Sequence, residues 1–218
     1  MTATRTTKGA STPARGGASA KRHRRDREVL AAATTVFYRR GYADATVQDV
    51  ADAVGMLKGS LYYYIKSKEE LLYRLATEVH DGVDALMSEV MAVEGLSSLE
   101  RIQDFIRRQV TYNVENLEAI AVYHHDTHHL SKPLRKEIVE RFRRHEQVLL
   151  SLIEQAQRDG DVDPGLNARI VSQSIFANVI WMYRWYRPAA GVSAATLSDT
   201  CVAFITNGIA NPAGGEAS

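Results

Sequence analysis

A run of small, basic and aromatic residues, GMLKGSLYYYIKSKEEL, extends from Gly55 to Leu71. Such side chains can contact an anionic polymer, because lysine neutralises phosphate, serine and tyrosine hydroxyls donate hydrogen bonds to it, and a tyrosine ring can lie against a thymine methyl group. Tyr62, Tyr63 and Tyr64 would point about 100° apart on a helix, so they cannot all belong to one core-facing stripe. We therefore expect at least one of the three rings to face outward.

Four histidines form a second group with chemical potential. His124 and His128, and likewise His125 and His129, are four residues apart, a spacing that places two imidazoles on one helix face as zinc sites require. A small all-α metalloprotein is the alternative function that this cluster supports. The segment lacks the glutamate of an HExxH motif, however, and we prefer a polar, partly exposed helix that lines a ligand cavity. We predict no metal, no cofactor and no catalytic residue.

The composition excludes several classes of protein. The chain has 218 residues, 45% of them hydrophobic, and a formal net charge of +1. A sizeable core is therefore possible, and a non-specific, nucleoid-type DNA binder is disfavoured. The single cysteine, Cys201, excludes an internal disulfide and fits a reducing compartment. No segment resembles a signal peptide or a membrane span, so we expect a soluble cytoplasmic protein with no membrane partner.

The chain divides into two domains with a tail at each end. Residues 1–20 are rich in threonine, serine, alanine and glycine and contain no acidic residue. We expect them to be a disordered basic tail, which either solubilises the protein or adds contacts to nucleic-acid phosphates. Residues 21–67 are expected to form a small helical domain, residues 68–211 a larger one, and residues 212–218 a second disordered tail.

Helix caps and apolar spacing predict helices throughout the two domains. Gly41 ends a first helix, and Thr46 is placed to cap a short second one. Ser67 and Ser97 are each followed three residues later by glutamate, the capping-box pattern that begins a helix. The predicted helices after the first are residues 47–54, 58–64, 68–93, 98–115, 117–130, 133–160, 167–186 and 194–208. No strand-like alternation is present, so the predicted fold class is all-α.

Two short helices behind a longer one form the pattern of a helix-turn-helix, in which the second short helix enters the major groove of DNA. In that helix Leu61 would be the inward anchor, which leaves Lys58, Ser60 and the tyrosines to face base edges and phosphates. Gly59 has no side chain to hold the helix away from the duplex. Lys68, in the first turn of the next helix, would add a positive charge beside free backbone N–H groups that favour an anion.

The segment from Val29 to Leu71 resembles the N-terminal domain of the tetracycline-repressor family of bacterial regulators. The residues that match the family's motif are Phe37, Gly41, Thr46, Ala51, Gly55, Gly59, Leu61, Tyr62, Tyr64, Lys68 and Glu69. Ile65 departs from it, since the family usually has phenylalanine there, and this apolar exchange affects packing more than function. The resemblance implies a two-domain, all-α homodimer that is not an enzyme. It would bind double-stranded operator DNA and release it when a small molecule enters the C-terminal domain.

The helix-turn-helix pattern and the resemblance together give the expected DNA contacts. They are Thr46, Lys58, Gly59, Ser60, Tyr62, Tyr63, Tyr64 and Lys68. The alternative for Tyr62 and Tyr63 is burial for packing only. A palindromic operator is expected, because one recognition helix reads too few base pairs to be selective and a dimer reads two half-sites.

The segment NVIWMYRWYRP, residues 178–188, is similar to the corresponding helix end of actinobacterial regulators of sterol and fatty-acid breakdown. Several of these respond to acyl-coenzyme A thioesters, so the resemblance implies an acyl-CoA effector. A pocket for it needs apolar walls and a few polar groups. The expected ligand contacts are Tyr112, Tyr123, His124, His128, Trp181 and Arg184. Trp181 and Trp185, four residues apart, belong instead to the core or a dimer interface in the alternative interpretation.

The dimer is expected to form through the last two helices. Small residues there allow close approach and large apolar residues offer area to bury. The residues expected at the interface are Ser174, Ala177, Gly208, Ile170, Trp185, Phe204 and Ile205.

Overall fold

The computed structural model describes residues 15–188 and 191–212. The helices are α1 (Arg15–Arg40), α2 (Val47–Ala53), α3 (Lys58–Leu61), α4 (Lys68–Ala92), α5 (Ser98–Glu115), α6 (Leu117–Asp126), α7 (Lys132–Asp159), α8 (Ala168–Trp185) and α9 (Ala194–Ile209). No β-strand occurs within the described ranges, where Val162 and Ala210 form an isolated bridge. The predicted all-α fold class is therefore confirmed.

The first helix begins earlier than the sequence suggested. α1 starts at Arg15, so residues 15–20 are helical rather than part of a disordered tail. Extending an existing helix costs far less than nucleating one, and alanine, which occurs at positions 18 and 20, is the strongest helix former. The rest of the two predicted tails, residues 1–14 and 213–218, lies outside the described residues.

Local sequence signals begin and end the other helices as predicted. The Thr46 hydroxyl accepts a hydrogen bond from the backbone N–H of Asp49 at 3.1 Å, and the Asp49 carboxylate accepts one from the Thr46 N–H at 2.8 Å. Ser97 caps α5 in the same way. The Ser67 hydroxyl accepts from the Glu70 N–H at the start of α4, but the Glu70 carboxylate accepts from the Lys66 N–H instead of the Ser67 N–H. Gly160 ends α7 with a φ of 87°, in the left-handed region that residues with a Cβ rarely adopt.

Two predicted helices are shorter in the structure. α3 ends at Leu61 rather than Tyr64, because the following amides bond three residues back, as in the 2.8 Å bond from Tyr64 N–H to the Leu61 carbonyl. α6 ends at Asp126 and continues as a 3₁₀ turn, Thr127–His129. The hydroxyl of Thr127 donates to the Tyr123 carbonyl at 2.8 Å, a side-chain bond that competes with helix continuation.

The helices surround two apolar cores, and α4 belongs to both. Its first half, from Leu71 to Val79, packs with α1, α2, α3 and α6. Its second half, from Val83 to Val90, packs with α5, α7, α8 and α9. The core of the helix-turn-helix unit therefore extends beyond the domain boundary expected at residue 67, and the two domains share one continuous helix.

Candidate nucleic-acid interface and ligand cavity

α2 and α3 are held in a fixed relation by a tight turn and a shared anchor. Gly55 makes the turn with a φ of 63°. Leu61 of α3 and Val50 of α2 are both completely buried. The Arg25 guanidinium of α1 donates a 2.8 Å hydrogen bond to the Val54 carbonyl at the end of α2, a contact that the sequence pattern did not indicate. The packing of α1 and α2 against α3 therefore fixes the orientation of the outer face of α3.

The outer face of α3 carries the residues that the sequence placed there. Lys58 and Gly59 are exposed and Ser60 is half-buried. The exposed fraction of Tyr62 is 49% and that of Tyr63 is 81%, so neither ring is buried for packing, whereas Tyr64 is half-buried. A Cβ added at Gly59 would meet no atom within 4 Å. The face offers one ammonium, one hydroxyl and two exposed phenols around a point where a backbone can approach a duplex closely.

Thr46 lies exposed at the start of α2 and its hydroxyl is held within the capping box. It donates to the Asp49 carboxylate at 2.7 Å. Hydrogen bonds from the Thr46 side chain and backbone lower the pKa of Asp49, with a smaller contribution from Arg40. The threonine is thus fixed in orientation beside the recognition unit.

Lys68 has a different role from the predicted phosphate contact. Its ammonium donates hydrogen bonds to the carbonyls of Tyr42, Ala43 and Ala45 at 2.7, 3.2 and 2.8 Å, and it lies 4.3 Å from the centre of the Tyr42 ring. An ammonium has three protons, and all three are used inside the protein. We therefore correct the prediction: Lys68 fixes the loop before α2 to the start of α4, and its ammonium has no proton left for a phosphate.

A basic cleft adjoins the recognition helix on the side of α1. Lys21, Arg22, Arg24 and Arg25 line it together with Tyr63, Tyr64 and Glu28. The pairing of Arg24 and Arg25 with Glu28 leaves an excess of positive charge. This arrangement continues the polar face of α3 onto α1 and is suited to phosphate groups.

A cavity lies between α4, α5, α6, α7 and α8. Its volume is about 30 Å³. The residues that line it are Val79, His80, Val83, Gln109, Asn113, Ile120, Tyr123, His124, Phe142, His145, Phe176 and Ile180. Apolar walls with a few converging polar groups are typical of a small-molecule site. As it stands, the cavity has room for a small group, and a larger ligand would have to move the helices apart.

One polar chain connects the cavity to the surface through α4 and α7. The Tyr123 hydroxyl lies 3.0 Å from His80 Nε2, and the His80 and His145 rings are 5.2 Å apart. His145 Nε2 lies 2.6 Å from an Asp84 carboxylate oxygen, and Arg141 pairs with Asp84 as well as with Asp81. The charged residues of this hydrogen-bonded series, Asp84 and Arg141, thus pair with each other outside the cavity.

A second polar chain runs along α5 to α8. The Gln109 amide nitrogen donates to Asn113 Oδ1 at 2.8 Å, and the Asn113 amide nitrogen donates to the Val179 carbonyl at 2.8 Å. Two side-chain atoms on the cavity wall, Gln109 Oε1 and His80 Nδ1, are buried without a hydrogen-bond partner. The cavity therefore contains polar atoms that a bound group could satisfy.

Burial keeps the titratable groups of the cavity uncharged. Desolvation lowers the pKa of His80 and of His124 to about 4, and it raises the pKa of Tyr123 to about 12. Desolvation also lowers the pKa of His145, and the hydrogen bond that His145 donates to the Asp84 carboxylate opposes this shift. A neutral ligand group is favoured in such surroundings, because a charge would have no fixed countercharge on the cavity wall.

The structure brings together only part of the predicted ligand set. Tyr123 and His124 line the cavity. Tyr112 packs against α4 outside it, with its hydroxyl 3.2 Å from the Val79 carbonyl. Trp181 is 57% exposed, and Arg184 is exposed with its guanidinium 3.1 Å from His125 Nε2.

His128, the remaining member of that set, is exposed in the 3₁₀ turn. Gln109, Asn113, His80 and His145 also line the cavity, and none of them was among the predicted ligand contacts. The one available signal in the sequence is a polar residue on an otherwise apolar helix face. Gln109 and Asn113 are such residues, since they lie four positions apart among the buried residues of α5, which include Phe105 and Val110.

The histidines of the cluster have separate partners in the structure. His124 is stacked on Tyr183 with ring centres 5.6 Å apart, His125 contacts Arg184, and the end of α6 at Asp126 removes the helical register that would align His124 with His128. No group of three or more histidine, cysteine, aspartate or glutamate residues that could hold a metal ion is found in the part of the chain that the structure describes. The preferred interpretation, a helix lining a cavity, fits His124.

The outer faces of α8 and α9 carry large exposed apolar side chains. On α8 they are Ile170 at 63%, Trp181 at 57% and Trp185 at 55%, and on α9 Phe204 is 70% exposed. Ser174, Ala177 and Gly208 are also exposed. Ile205 is an exception to the prediction, since it is buried within the subunit with an exposed fraction of 7%. Large apolar surfaces of this kind mark interaction sites.

Among the described helices, none is both long enough and apolar enough to cross a membrane.

Two family models match the sequence. Residues 29–75 match the model described as "Bacterial regulatory proteins, tetR family". Residues 95–209 match the model described as "Tetracyclin repressor-like, C-terminal domain", and this second match alone spans more than half of the 218 residues. The HTH-type transcriptional repressor KstR2 of Rhodococcus jostii is 28% identical over 193 residues, which are 85% of this chain and 91% of the relative.

Solved structures resemble the protein over most of its length. The ketosteroid transcriptional regulator KstR2 of Mycobacterium tuberculosis superposes with a TM-score of 0.80 at 27% identity, over 85% of this chain and 95% of that one. AibR in complex with isovaleryl coenzyme A and operator DNA superposes with a TM-score of 0.75 at 23% identity, over 83% of this chain and 97% of that one. At 23% identity, the likeness to AibR concerns the fold alone.

Proposed function

Because this chain belongs to the tetR family of bacterial regulatory proteins, we propose that it is a dimeric transcriptional repressor that binds a palindromic operator through α3 and releases it when a small molecule enters the cavity. Membership of this family also confirms the expectation that the protein is not an enzyme. The observation that carries the proposal is the position of α4, which takes part in both the helix-turn-helix core and the cavity wall.

α3 reads the major groove in this proposal. Lys58 on α3 and Tyr62 and Tyr63 in the turn after it are exposed. Gly59 lies between them, at the point where the backbone approaches the duplex most closely. The basic cleft of α1 lies beside them and contacts the phosphate backbone. Phosphate contacts supply affinity and position, and the side chains on α3 supply the sequence preference.

The dimer forms through the outer faces of α8 and α9. Ile170, Trp181 and Trp185 lie at intervals of eleven and four residues, which place them on one side of α8, and Phe204 adds to the surface from α9. Their exposure in a single subunit supports burial against a second copy. Trp181, expected from the sequence to touch the ligand, belongs to this surface. Two copies of α3 then read the two half-sites of the operator.

α4 couples the cavity to the DNA-reading face. It has 25 residues, which corresponds to about 37 Å at 1.5 Å per residue. At one end, Lys68 holds the loop before α2 and Arg74 pairs with Asp26 of α1 at 2.6 Å. Beyond these contacts, Val79, His80 and Val83 line the cavity. A ligand that needs more room than the cavity offers will bind best to a state in which α4 has moved, and that shift separates the two DNA-reading faces.

An acyl-CoA thioester is the proposed effector. The cavity is lined mainly by apolar and uncharged side chains, which suit an acyl group. Arg184 lies one turn after the cavity residue Ile180 on α8, where it could meet the charged part of the ligand. AibR, which shares the fold, has been solved with isovaleryl coenzyme A and operator DNA together. A coupling of about 2.7 kcal/mol between ligand and operator would lower operator affinity about a hundredfold.

The test is a gel shift of the dimer on the DNA upstream of its own gene, followed by titration with acyl-CoA thioesters of short, long and ring-containing acyl groups. Free acids and free coenzyme A are the controls. We expect a specific shifted band that at least one thioester abolishes. A specific band that no thioester releases would contradict the effector class but not the repressor function, and absence of any specific band would contradict both.

A further inference from the structure

Two residues on neighbouring helices of the cavity wall each have an unsatisfied polar atom. Gln109 of α5 and His80 of α4 both line the cavity, and Gln109 Oε1 and His80 Nδ1 lack hydrogen-bond partners. Both side chains are almost completely buried, with exposed fractions of 4% and 2%. A buried polar atom without a partner is costly, and two of them on one cavity wall indicate a group that binds between them.

The chemical character of the Gln109 atom follows from the hydrogen-bond chain to α8. The Val179 backbone carbonyl can only accept, so the Asn113 atom beside it, at 2.8 Å, must be the amide nitrogen. Asn113 therefore turns its oxygen toward Gln109, and the Gln109 atom 2.8 Å from it must also be an amide nitrogen. The atom that Gln109 leaves free in the cavity is consequently its carbonyl oxygen, which accepts a hydrogen bond and cannot donate one.

The character of the His80 atom follows from Tyr123. The phenol lies 3.0 Å from His80 Nε2, and a phenol hydroxyl donates readily to a neutral imidazole nitrogen. Burial holds the pKa of His80 at about 4, so the ring is neutral at physiological pH. When Nε2 accepts from Tyr123, the ring proton is on Nδ1. His80 then offers a donor on the cavity wall to which Gln109 contributes an acceptor.

We propose that the cavity recognises a hydroxyl group on the uncharged part of the effector, which donates its proton to Gln109 Oε1 and accepts a hydrogen bond from His80 Nδ1. This assignment rests on the proposed function in one respect, that the effector enters this cavity. It narrows the effector from acyl thioesters in general to those whose acyl group carries a hydroxyl.

Other common ligand groups fit less well. A hydrocarbon chain leaves both polar atoms unsatisfied, and a ketone can accept from His80 but has no proton for Gln109. A carboxylate likewise cannot donate to Gln109, and no lysine or arginine is among the described residues that line the cavity to neutralise it. The space open to a water centre, about 30 Å³, suits a group as small as a hydroxyl.

The test compares three thioesters of one chain length, octanoyl-CoA, β-hydroxyoctanoyl-CoA and β-oxo-octanoyl-CoA, by calorimetric binding to the full-length dimer. We expect the hydroxyl compound to bind at least about tenfold more tightly than the other two, as expected when a buried partner would otherwise stay unpaired. Gln109→Met keeps the length of the side chain but removes the acceptor, and should reduce this preference to less than about threefold. Gln103→Met is the matched control on the same helix, since Gln103 lies outside the cavity and makes a 3.4 Å contact with Thr206.

Each outcome decides the inference. Equal binding of the three thioesters to the unchanged protein would overturn it, because a water molecule would then satisfy both atoms, while the proposed acyl-CoA response would survive.

If no thioester binds, the effector class of the proposed function is wrong. A comparison of cyclohexanol with cyclohexanone binding then tests the cavity by itself. The hydroxyl site is supported if the hydroxyl compound, thioester or cyclohexanol, binds more tightly than its ketone, and if this preference is lost in Gln109→Met but kept in Gln103→Met. Absence of a preference overturns the hydroxyl site. Circular dichroism shows whether Gln109→Met is folded, and the comparison on the unchanged protein does not depend on that variant.

Discussion

The ring of Tyr112 on α5 lies directly over the backbone of Gly82 on α4, where a Cβ atom would overlap it. The Tyr112 hydroxyl continues to the Val79 carbonyl at 3.2 Å, so the ring spans a full turn of α4 beside the cavity. Only glycine permits this approach. The contact fixes the spacing of α4 and α5 at the point where the effector is proposed to push them apart.

Gly82→Ala should therefore destabilise the protein despite the better helix propensity of alanine. The added methyl group forces Tyr112 away from α4, and overpacking of this kind costs about 1 to 3 kcal/mol. We expect the melting temperature to fall by about 2 to 10 °C. Gly59→Ala is the control, because no atom lies within 4 Å of its Cβ position. Tyr112→Leu combined with Gly82→Ala should recover part of the loss, and a full loss in the double variant would contradict the contact.

Lys68 and Lys58 should affect operator binding by different routes. Lys68→Met removes three hydrogen bonds to the loop before α2, so it should lower the melting temperature and operator affinity together. Lys58, exposed on α3, should contact phosphate. Lys58→Met should leave the melting temperature unchanged and reduce the salt slope of binding by about one unit. The measurements are thermal unfolding and operator affinity over a range of salt concentrations. A reduced salt slope in a fully stable Lys68→Met would restore its predicted phosphate contact.

Tyr62 should matter for DNA binding rather than for stability. Its exposed fraction is 49%, close to the 47% of Tyr38 on α1, so loss of either ring should change the melting temperature little. Tyr62→Ala should weaken operator binding by at least about tenfold, as expected for a side chain that contacts a base or phosphate. Tyr38→Ala is the matched control and should bind normally. Equal effects of the two variants on operator affinity would show that α3 is not the reading helix.

Much of the fold follows from local sequence signals. Thr46 and Ser97 begin helices, and Gly41 and Gly160 end them, because a cap or a positive φ depends on a few neighbouring residues. The expectation that at least one of the three consecutive tyrosines faces outward holds for Tyr62 and Tyr63, although they lie in the turn after α3 and not in a helix.

The parts that the sequence did not predict depend on contacts between distant segments. Lys68 meets carbonyls more than twenty positions earlier in the chain, and no local pattern distinguishes such a lysine from a phosphate contact. Gln109 and Val179 are brought together only by the packing of α5 against α8. Trp181, expected as a ligand contact from a short resemblance, is 57% exposed and shares one side of α8 with Ile170 and Trp185 in an outward stripe, which favours the alternative interpretation of a dimer interface.

The outward stripe provides a test of the dimer. Phe204 is 70% exposed on α9, and Phe204→Glu would place a charge in the proposed interface, where it would be buried without a partner. We expect this variant to sediment as a folded monomer and to lose operator binding. Val139→Glu is the control, because Val139 is 40% exposed on α7, a helix that is not part of the proposed interface. A Phe204→Glu protein that stays dimeric would place the interface elsewhere.

The buried histidines make the stability of the protein depend on pH. His80 and His124 have a pKa of about 4 in the folded chain because of burial, whereas an exposed histidine titrates near about 6.5. Between these two values the unfolded chain binds protons that the folded chain does not. Stability from these groups is therefore complete above the unfolded pKa and is lost as the pH falls from about 6.5 toward 4.

We expect the free energy of unfolding to decrease over this window by up to about 1.4 kcal/mol per pH unit for each of the two histidines. His80→Gln removes one titrating group but keeps a side chain that can bond to Tyr123, so it should flatten the dependence whatever its effect on stability at pH 7. His128→Gln, on an exposed residue of the 3₁₀ turn, should leave the slope as it is. Urea unfolding at several pH values between about 4 and 7 measures the slopes directly. The same slope in the unchanged protein and in His80→Gln would contradict the lowered pKa of His80, because a group with equal pKa in the folded and unfolded chain contributes no slope.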